Sequence, residues 1–336
     1  MKDTMLDANF PRTADGRVYH LGIRAGELAN RIVTVGDPSR ALALASYLDP
    51  ITSESGEGPL KIQSERGFLT CTGTYKGIPM SIVAIGMGFA NMDFFVRECR
   101  ECVSGEMAII RLGSCGSILD SAGVGSLVIP RASVAITRNY DFDFNTPPTS
   151  ESHKDAYRIS KPAGADERLH EILGHAMAAA RPSGSRSIIL SNCVNASGDS
   201  FYSSQGRLTS FPDHNAGLIH HLLDTVEDIA TLEMETFHLF HLASIHPAAP
   251  SSAHTATSVV PPPPTSAPAA VISTRKPSSP QAAGIVQPSR IHAAAAHMVF
   301  AARGSGGFIT PSEVSAFQEW AGRGCLDALV GFELSV

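Results

Sequence analysis

The stretch Met107-Ala108-Ile109-Ile110-Arg111-Leu112-Gly113-Ser114-Cys115-Gly116 opens as an apolar run, carries one arginine inside it, and closes on glycines. A short apolar run stopped by glycine reads as a buried strand, here residues 107–112. Two other segments share this form. They are Val35-Gly36-Asp37-Pro38-Ser39-Arg40 and Val299-Phe300-Ala301-Ala302-Arg303-Gly304. If the three strands are neighbours, their glycine turns and arginines converge on one edge. Glycine lets backbone N–H groups approach an anion, and the guanidinium fork matches phosphate oxygens. Taken singly, each segment is ordinary, because an arginine beside a turn is usually solvated.

Outward from that stretch, strand and helix patterns alternate. Residues 31–35 are strand-like, and Asp37 or Ser39 can cap a helix over 39–48. Residues 68–75 and 78–85 read as two strands joined at Lys76-Gly77. Residues 91–104 form an amphipathic helix and 126–137 a strand. A helix over 166–180 precedes a strand over 187–194. A helix over 233–244, a short strand over 295–302 and a C-terminal helix over 312–329 follow, the last with Ser312 in the cap position after Pro311. Such alternation predicts an α/β fold: a single domain with a central mixed β-sheet flanked by helices. In such sheets, ligands gather at the carboxyl ends of strands.

Of the 336 residues, 43% are hydrophobic and 17% charged, with a formal net charge of -6 and no run of Lys or Arg. Nucleic-acid and anionic-membrane surfaces are therefore excluded as partners. Any anion must be met by a few placed arginines. The six cysteines are irregularly spaced in a long chain, which favours free thiols in a reducing compartment. The N-terminus has no apolar stretch of signal type, and the apolar run over 291–302 is too short to span a bilayer. The expected location is cytoplasmic. Residues 246–290 are rich in Pro, Ala and Ser, with Pro261 to Pro264 in a row. That composition predicts a disordered insertion.

Read in order, the chain carries Val18-Tyr19-His20-Leu21-Gly22, Gly36-Asp37-Pro38-Ser39-Arg40, Arg111-Leu112-Gly113-Ser114-Cys115-Gly116, Ser197-Gly198-Asp199-Ser200-Phe201-Tyr202-Ser203-Ser204-Gln205-Gly206-Arg207, and Leu232-Glu233-Met234-Glu235-Thr236. This order resembles the uridine phosphorylase branch of the nucleoside phosphorylase family. The likeness covers residues 18 to about 329 apart from the insertion, leaving 1–17 as an N-terminal extension. It implies phosphorolysis of uridine, and of deoxyuridine or thymidine as further substrates, to uracil and ribose 1-phosphate. Inorganic phosphate is then a co-substrate, and no cofactor or metal is needed. By the resemblance, the Gly36 backbone, Arg40, Arg111 and Ser114 bind phosphate, and Arg66 is lent to the site of a neighbouring subunit. Glu235 and the Met234 backbone hold the ribose hydroxyls, with Ser114 nearby, and His20 reaches the 5′-hydroxyl across a subunit interface. Phe201 lies by the base, while Gln205, Arg207 and Arg303 meet the uracil edge. The sharing of His20 and Arg66 implies a homo-oligomer, a dimer or a dimer-based hexamer.

Charge development explains why such residues would act together. Glycosidic cleavage leaves positive charge on ribose and negative charge on the base. Arginines bring the phosphate dianion to C1′, and donors at the base take up the developing negative charge. On this reading Arg111, Arg303 and Glu235 carry the catalysis. Purine-cleaving relatives place an acid after the strand that ends at Ala302. Here Arg303-Gly304 stands there, which favours a pyrimidine. Some features depart from the family pattern. Ser114-Cys115 replaces two threonines but keeps the first hydroxyl. Gly67 replaces a glutamate that ligates an ion, so no ion is carried over. Ala302 replaces an asparagine.

Other motifs have plainer readings. Gly86-Met87-Gly88 lacks the third glycine of a dinucleotide fingerprint and reads as a tight turn. Cys99 and Cys102 sit in a helix pattern without a second pair, and read as buried thiols. His220, His221, His238 and His241 lack a clustered ligand set. Asp199 reads as ordering the loop before Phe201. The competing functions are a purine nucleoside phosphorylase, a nucleosidase, which would not need Arg40, Arg66 and Arg111 together, and a silent scaffold offering Pro261–Pro264 as a polyproline ligand. The insertion should attach at the pole opposite the site. Deleting residues 247–288 should therefore leave kcat intact. A large loss of kcat in a deletion variant that still folds would contradict this.

Overall fold

A computed structural model describes residues 4–50, 59–246 and 289–335. The expected insertion falls almost wholly on 247–288 and lies outside the described residues. The main strands are β1 (Arg31–Val35), β2 (Leu60–Gln63), β3 (Leu69–Tyr75), β4 (Ile78–Ala84), β5 (Met107–Ser117), β6 (Leu127–Arg138), β7 (Ile189–Gly198), β8 (Ile229–Glu233), β9 (Ile291–Ala302) and β10 (Gly307–Phe308). The main helices are α1 (Pro38–Ala45), α2 (Phe89–Cys102), α3 (Glu167–Ala180), α4 (Leu218–Thr225), α5 (Thr236–Ile245) and α6 (Pro311–Gly331).

With two short strands beside β6, these strands form one mixed sheet of twelve, in the order β10-β9-β6-β7-β8-β5-β1-β4-β3-β2. The expected α/β architecture with a central mixed sheet is borne out. One feature was not anticipated. Strand β9 pairs with β6 and also runs parallel along the whole of β5, so β5, β8, β7, β6 and β9 close into a ring. Strands β1, β4, β3 and β2 extend from it as an open arm.

The alternation of a strand assigns each side chain to a face. Along β5, Ala108, Ile110 and Leu112 enter the core covered by α1, α3 and α6. Met107 and Ile109 enter the other core, covered by α2 and α5. Arg111 continues the second row. Along β9, Ala293 and Ala295 enter that same core, and His297 continues their row opposite Gly113 of β5. Two polar side chains are thus carried by strand register into the layer where α5 begins.

Local chemistry sets the ends of elements. The Asp37 side chain accepts from the Arg40 N–H, and Pro38 opens α1. Lys76 and Gly77 both have positive φ, as the tight turn between β3 and β4 demands. Three expected boundaries are corrected. The helix expected over 233–244 begins at Thr236, because residues 229–233 form β8 beside β7 and β5. The strand expected over 295–302 begins at Ile291, drawn out by its pairing with β5. Thr310, rather than Ser312, caps the C-terminal helix in a reciprocal box with Glu313, and Pro311 occupies its first turn. His246 and Arg290, the first and last residues of the expected insertion, lie at the end of α5 and just before β9, with the Arg290 carbonyl accepting from Met107 N–H at the start of β5. That places Arg290 at the opposite end of β9 from Arg303.

The cap assignment is testable. Thr310→Ala should cost about 1 kcal/mol in urea unfolding, and Ser312→Ala less than about 0.5 kcal/mol. The reverse ranking would contradict it.

Candidate active site

A cavity of about 340 Å³ opens where the ends of β1, β4, β7, β8 and β9 meet the middle of β5. At one end lie Gly36, Arg40, Arg111 and Ser114. Met234 and Glu235 form the wall that leads from β8 into α5, and Phe201, Gln205 and Arg207 lie on the loop after β7. Nine of the expected site residues therefore meet in one place, although they come from four separate stretches of chain.

The central contact is an ion pair. Arg111 Nη2 donates to Glu235 Oε2 at 2.8 Å, and the two side chains are only 4% and 5% exposed. The other carboxylate oxygen accepts from the Gly88 N–H at 2.6 Å, at the amino terminus of α2. A helix amino terminus favours a carboxylate there. Burial pushes the Glu235 carboxyl above the ordinary glutamate range, against the pull of Arg111. The Arg111 Nε and Nη1 are buried and have no partner. A buried guanidinium with two idle donors is ready for an anion.

Gly36 leaves room for that anion. A Cβ at this position would stand 3.3 Å from the Gly86 carbonyl and 3.6 Å from Arg111 Nη2. Arg40 is buried beside it, with Nη1 directed at the Leu112 carbonyl at 3.4 Å. Once its amide is turned, the Gln318 side-chain oxygen accepts from Arg40 Nε and Nη2 at 3.0 and 3.2 Å. Burial, and then the charge of Arg111, lower the Arg40 pKa to about 10, so it stays cationic at neutral pH.

At the far end, Gln205 is buried and reaches the Glu233 carbonyl at 3.3 Å. Arg207 Nη1 donates to Gln205 Oε1 at 2.5 Å and to the Phe201 carbonyl at 2.8 Å, and its guanidinium lies 3.9 Å from the Phe201 ring centre. Burial, and then Arg303, lower the Arg207 pKa to about 10. Arg303 does not line the cavity. It donates instead to the carbonyls of Gln205 and Gly206, at 2.9 and 3.1 Å, from behind the loop. Asp199 accepts from Ser204 and from the Arg138 N–H, which orders this loop as expected.

Arg66 and His20 lie elsewhere. Arg66 is exposed and binds the Tyr19 hydroxyl, with its guanidinium over the Tyr19 ring. His20 Nδ1 is 2.6 Å from Glu98, and its ring stacks on Phe94. All six cysteines are buried and free. Among them, the Cys115 thiol lines the cavity and is pushed far up by burial and then by Glu233.

Sequence reasoning missed the support beneath the site. Glu233 Oε2 accepts from the N–H groups of Glu235 and Thr236, at 2.8 and 3.0 Å, and from the Thr236 hydroxyl at 3.0 Å. Its Oε1 accepts from Asn195 at 2.6 Å and from Ser197. Behind this lies His297, fully buried, with Nε2 2.8 Å from the Thr236 hydroxyl. Because that hydroxyl gives its proton to Glu233, the imidazole donates from Nε2. Burial, and then Arg111, lower the His297 pKa to about 3. The only sequence signal was a histidine in an otherwise apolar run.

Residues 30–252 match the model of the phosphorylase superfamily. The chain belongs to that family. It is 29% identical over 248 residues to a uridine phosphorylase of Thermococcus kodakarensis, covering 73% of this chain and 79% of that protein. It is 32% identical over 160 residues to a DeoD-type purine nucleoside phosphorylase of Lactococcus lactis, covering 46% of this chain and 64% of that one. A solved structure from work on two uridine phosphorylases of the oomycete Phytophthora capsici is 34% identical. It covers 98% of this chain and 100% of its own, with a TM-score of 0.77. A Trypanosoma brucei nucleoside phosphorylase, 21% identical, shares the fold with a TM-score of 0.68. The protein is thus a member of the nucleoside phosphorylase family, a family of pentosyltransferases. No helix among the described residues is long and apolar enough to cross a membrane.

The state of His297 sets a pH dependence. In the fold it stays neutral down to pH about 3. In the unfolded chain it takes a proton near pH ~6.5. Between those values the unfolded chain holds one more proton, so stability falls as pH falls, by up to about 1.4 kcal/mol per pH unit. Above that range the effect vanishes. His297→Gln should lose less stability on acidification from neutral pH in urea titrations. Equal slopes would contradict a buried neutral imidazole.

Proposed function

We propose that the protein is a uridine phosphorylase. The observation that carries this reading is the far wall of the cavity, where a buried amide and a guanidinium, Gln205 and Arg207, stand together. Such a pair offers donors to a carbonyl edge and no acid to protonate a purine. Arg303 reinforces the choice: a cation follows β9, and it braces the Gln205–Gly206 backbone rather than touching the base itself. The names of the Thermococcus and Phytophthora relatives agree with this reading.

In the reaction, phosphate sits against the idle nitrogens of Arg111, with Arg40, Ser114 and the Gly36 backbone. Ribose lies on Glu235 and Met234, and the base beside Phe201, Gln205 and Arg207. The C1′–N1 bond breaks, its electron pair passes into the uracil ring, and a phosphate oxygen bonds C1′. The released uracil anion takes up the proton that hydrogen phosphate gives up on forming the ester. One guanidinium, that of Arg111, addresses the phosphate and the carboxylate that holds the ribose, so the reacting groups are positioned together. Arg207 and Gln205 stabilise the charge on the leaving base. Arg66 and His20, which stand away from this cavity, serve the site of a second copy of the chain in a homo-oligomer.

The test is release of uracil from uridine, with and without phosphate, beside inosine. Phosphate-dependent uracil release with inosine inert is expected. Gln205→Leu should lower kcat/KM by an amount on the order of 3–4 kcal/mol in the barrier. Phosphate-independent release would mean a nucleosidase, and preferential inosine cleavage a purine enzyme.

A further inference from the structure

The mechanism above makes no use of the buried imidazole of His297, although it stands two residue contacts away from the ribose carboxylate. Its Nε2 holds the Thr236 hydroxyl at 2.8 Å. That hydroxyl and the Thr236 N–H both bond Glu233 Oε2, the same oxygen that accepts the Glu235 N–H at 2.8 Å. The Thr231 hydroxyl lies 3.5 Å from the other ring nitrogen and donates to Asn195, which in turn bonds Glu233 Oε1. Strand register sets His297 opposite Gly113, two residues beyond Arg111. The ring therefore touches the threonines on both sides of the Glu233–Glu235 turn.

We propose that His297 is a positioning residue for nucleoside binding. Resting on the assignment of Glu235 to the ribose, it acts through Thr236 and Glu233 to fix the backbone from which Glu235 points. Arg40 is held by contacts of its own, with the Leu112 carbonyl and Gln318, and the turn reaches the phosphate seat only through the Glu235–Arg111 pair, so the imidazole bears on the nucleoside more than on the phosphate. A buried histidine kept for packing alone would influence both substrates equally, or neither. One that fixes the turn shifts nucleoside binding more than phosphate binding.

The experiment compares KM for nucleoside and for phosphate in the full-length protein, using whichever nucleoside the unmodified enzyme cleaves. His297→Met, which removes the donor, should raise the nucleoside KM about fivefold, the worth of one neutral hydrogen bond. The phosphate KM should rise by less than about twofold. His297→Gln, which can still donate to Thr236, should restore most of the loss. If His297→Met does not fold, Thr236→Val breaks the same link and should give the same split. A nucleoside KM unchanged in a folded variant, or both KM values raised alike, would overturn the proposal. Inactivity of the unmodified enzyme toward every nucleoside would instead sink the functional reading, so the two failures are distinguishable.

Discussion

Everything at this site leans on one buried ion pair, Arg111 with Glu235. Taking two charges out of water costs several kcal/mol per ion, and the attraction between them offsets that only when geometry is good and remaining donors are satisfied. Here the acceptor side is complete, since both Glu235 oxygens are bonded. The donor side is not, since two Arg111 nitrogens are idle. The pair is therefore better understood as a device for orientation than as a source of stability. It holds a guanidinium in a state that an incoming anion completes.

Two independent constraints bring the partners together. Alternation along β5 sends Arg111 into the layer beneath α5. The turn from β8 into α5, pinned by Glu233, delivers Glu235 to the same point. Closure of the strand ring makes both necessary, because β9 and β8 flank the same part of β5. A chain with net charge -6 can still offer cationic groups to an anion in this way. Its cavity concentrates Arg40, Arg111 and Arg207 on one lining, and the first two are buried.

Much of this was legible in the sequence, for physical reasons that differ by element. The apolar run of β5, the Asp37 cap and the Lys76-Gly77 turn are local signals, and the structure follows them. Arg111, Glu235, Gln205 and Arg207 emerged because their motifs occur in a fixed order. Other features depend on tertiary contacts. Strand β8 and helix α5 are both apolar and nearly contiguous, so no change of periodicity separated them. The alanines at the start of β9 favour no strand by themselves, and only parallel pairing with β5 extends them. Arg303 was expected to face the base, but the loop carbonyls ahead of it claim its guanidinium. The roles of Glu233 and His297 arise from strand register and could not be read from neighbours in sequence.

The most direct test of the central claim is a double-mutant cycle on kcat/KM with Arg111→Ala, Glu235→Ala and the double variant. If one ion pair organises both substrate seats, the double variant should be no worse than the poorer single one, with a coupling on the order of 2–3 kcal/mol. If the losses multiply, the two residues act independently, and the pair is not what the site depends on.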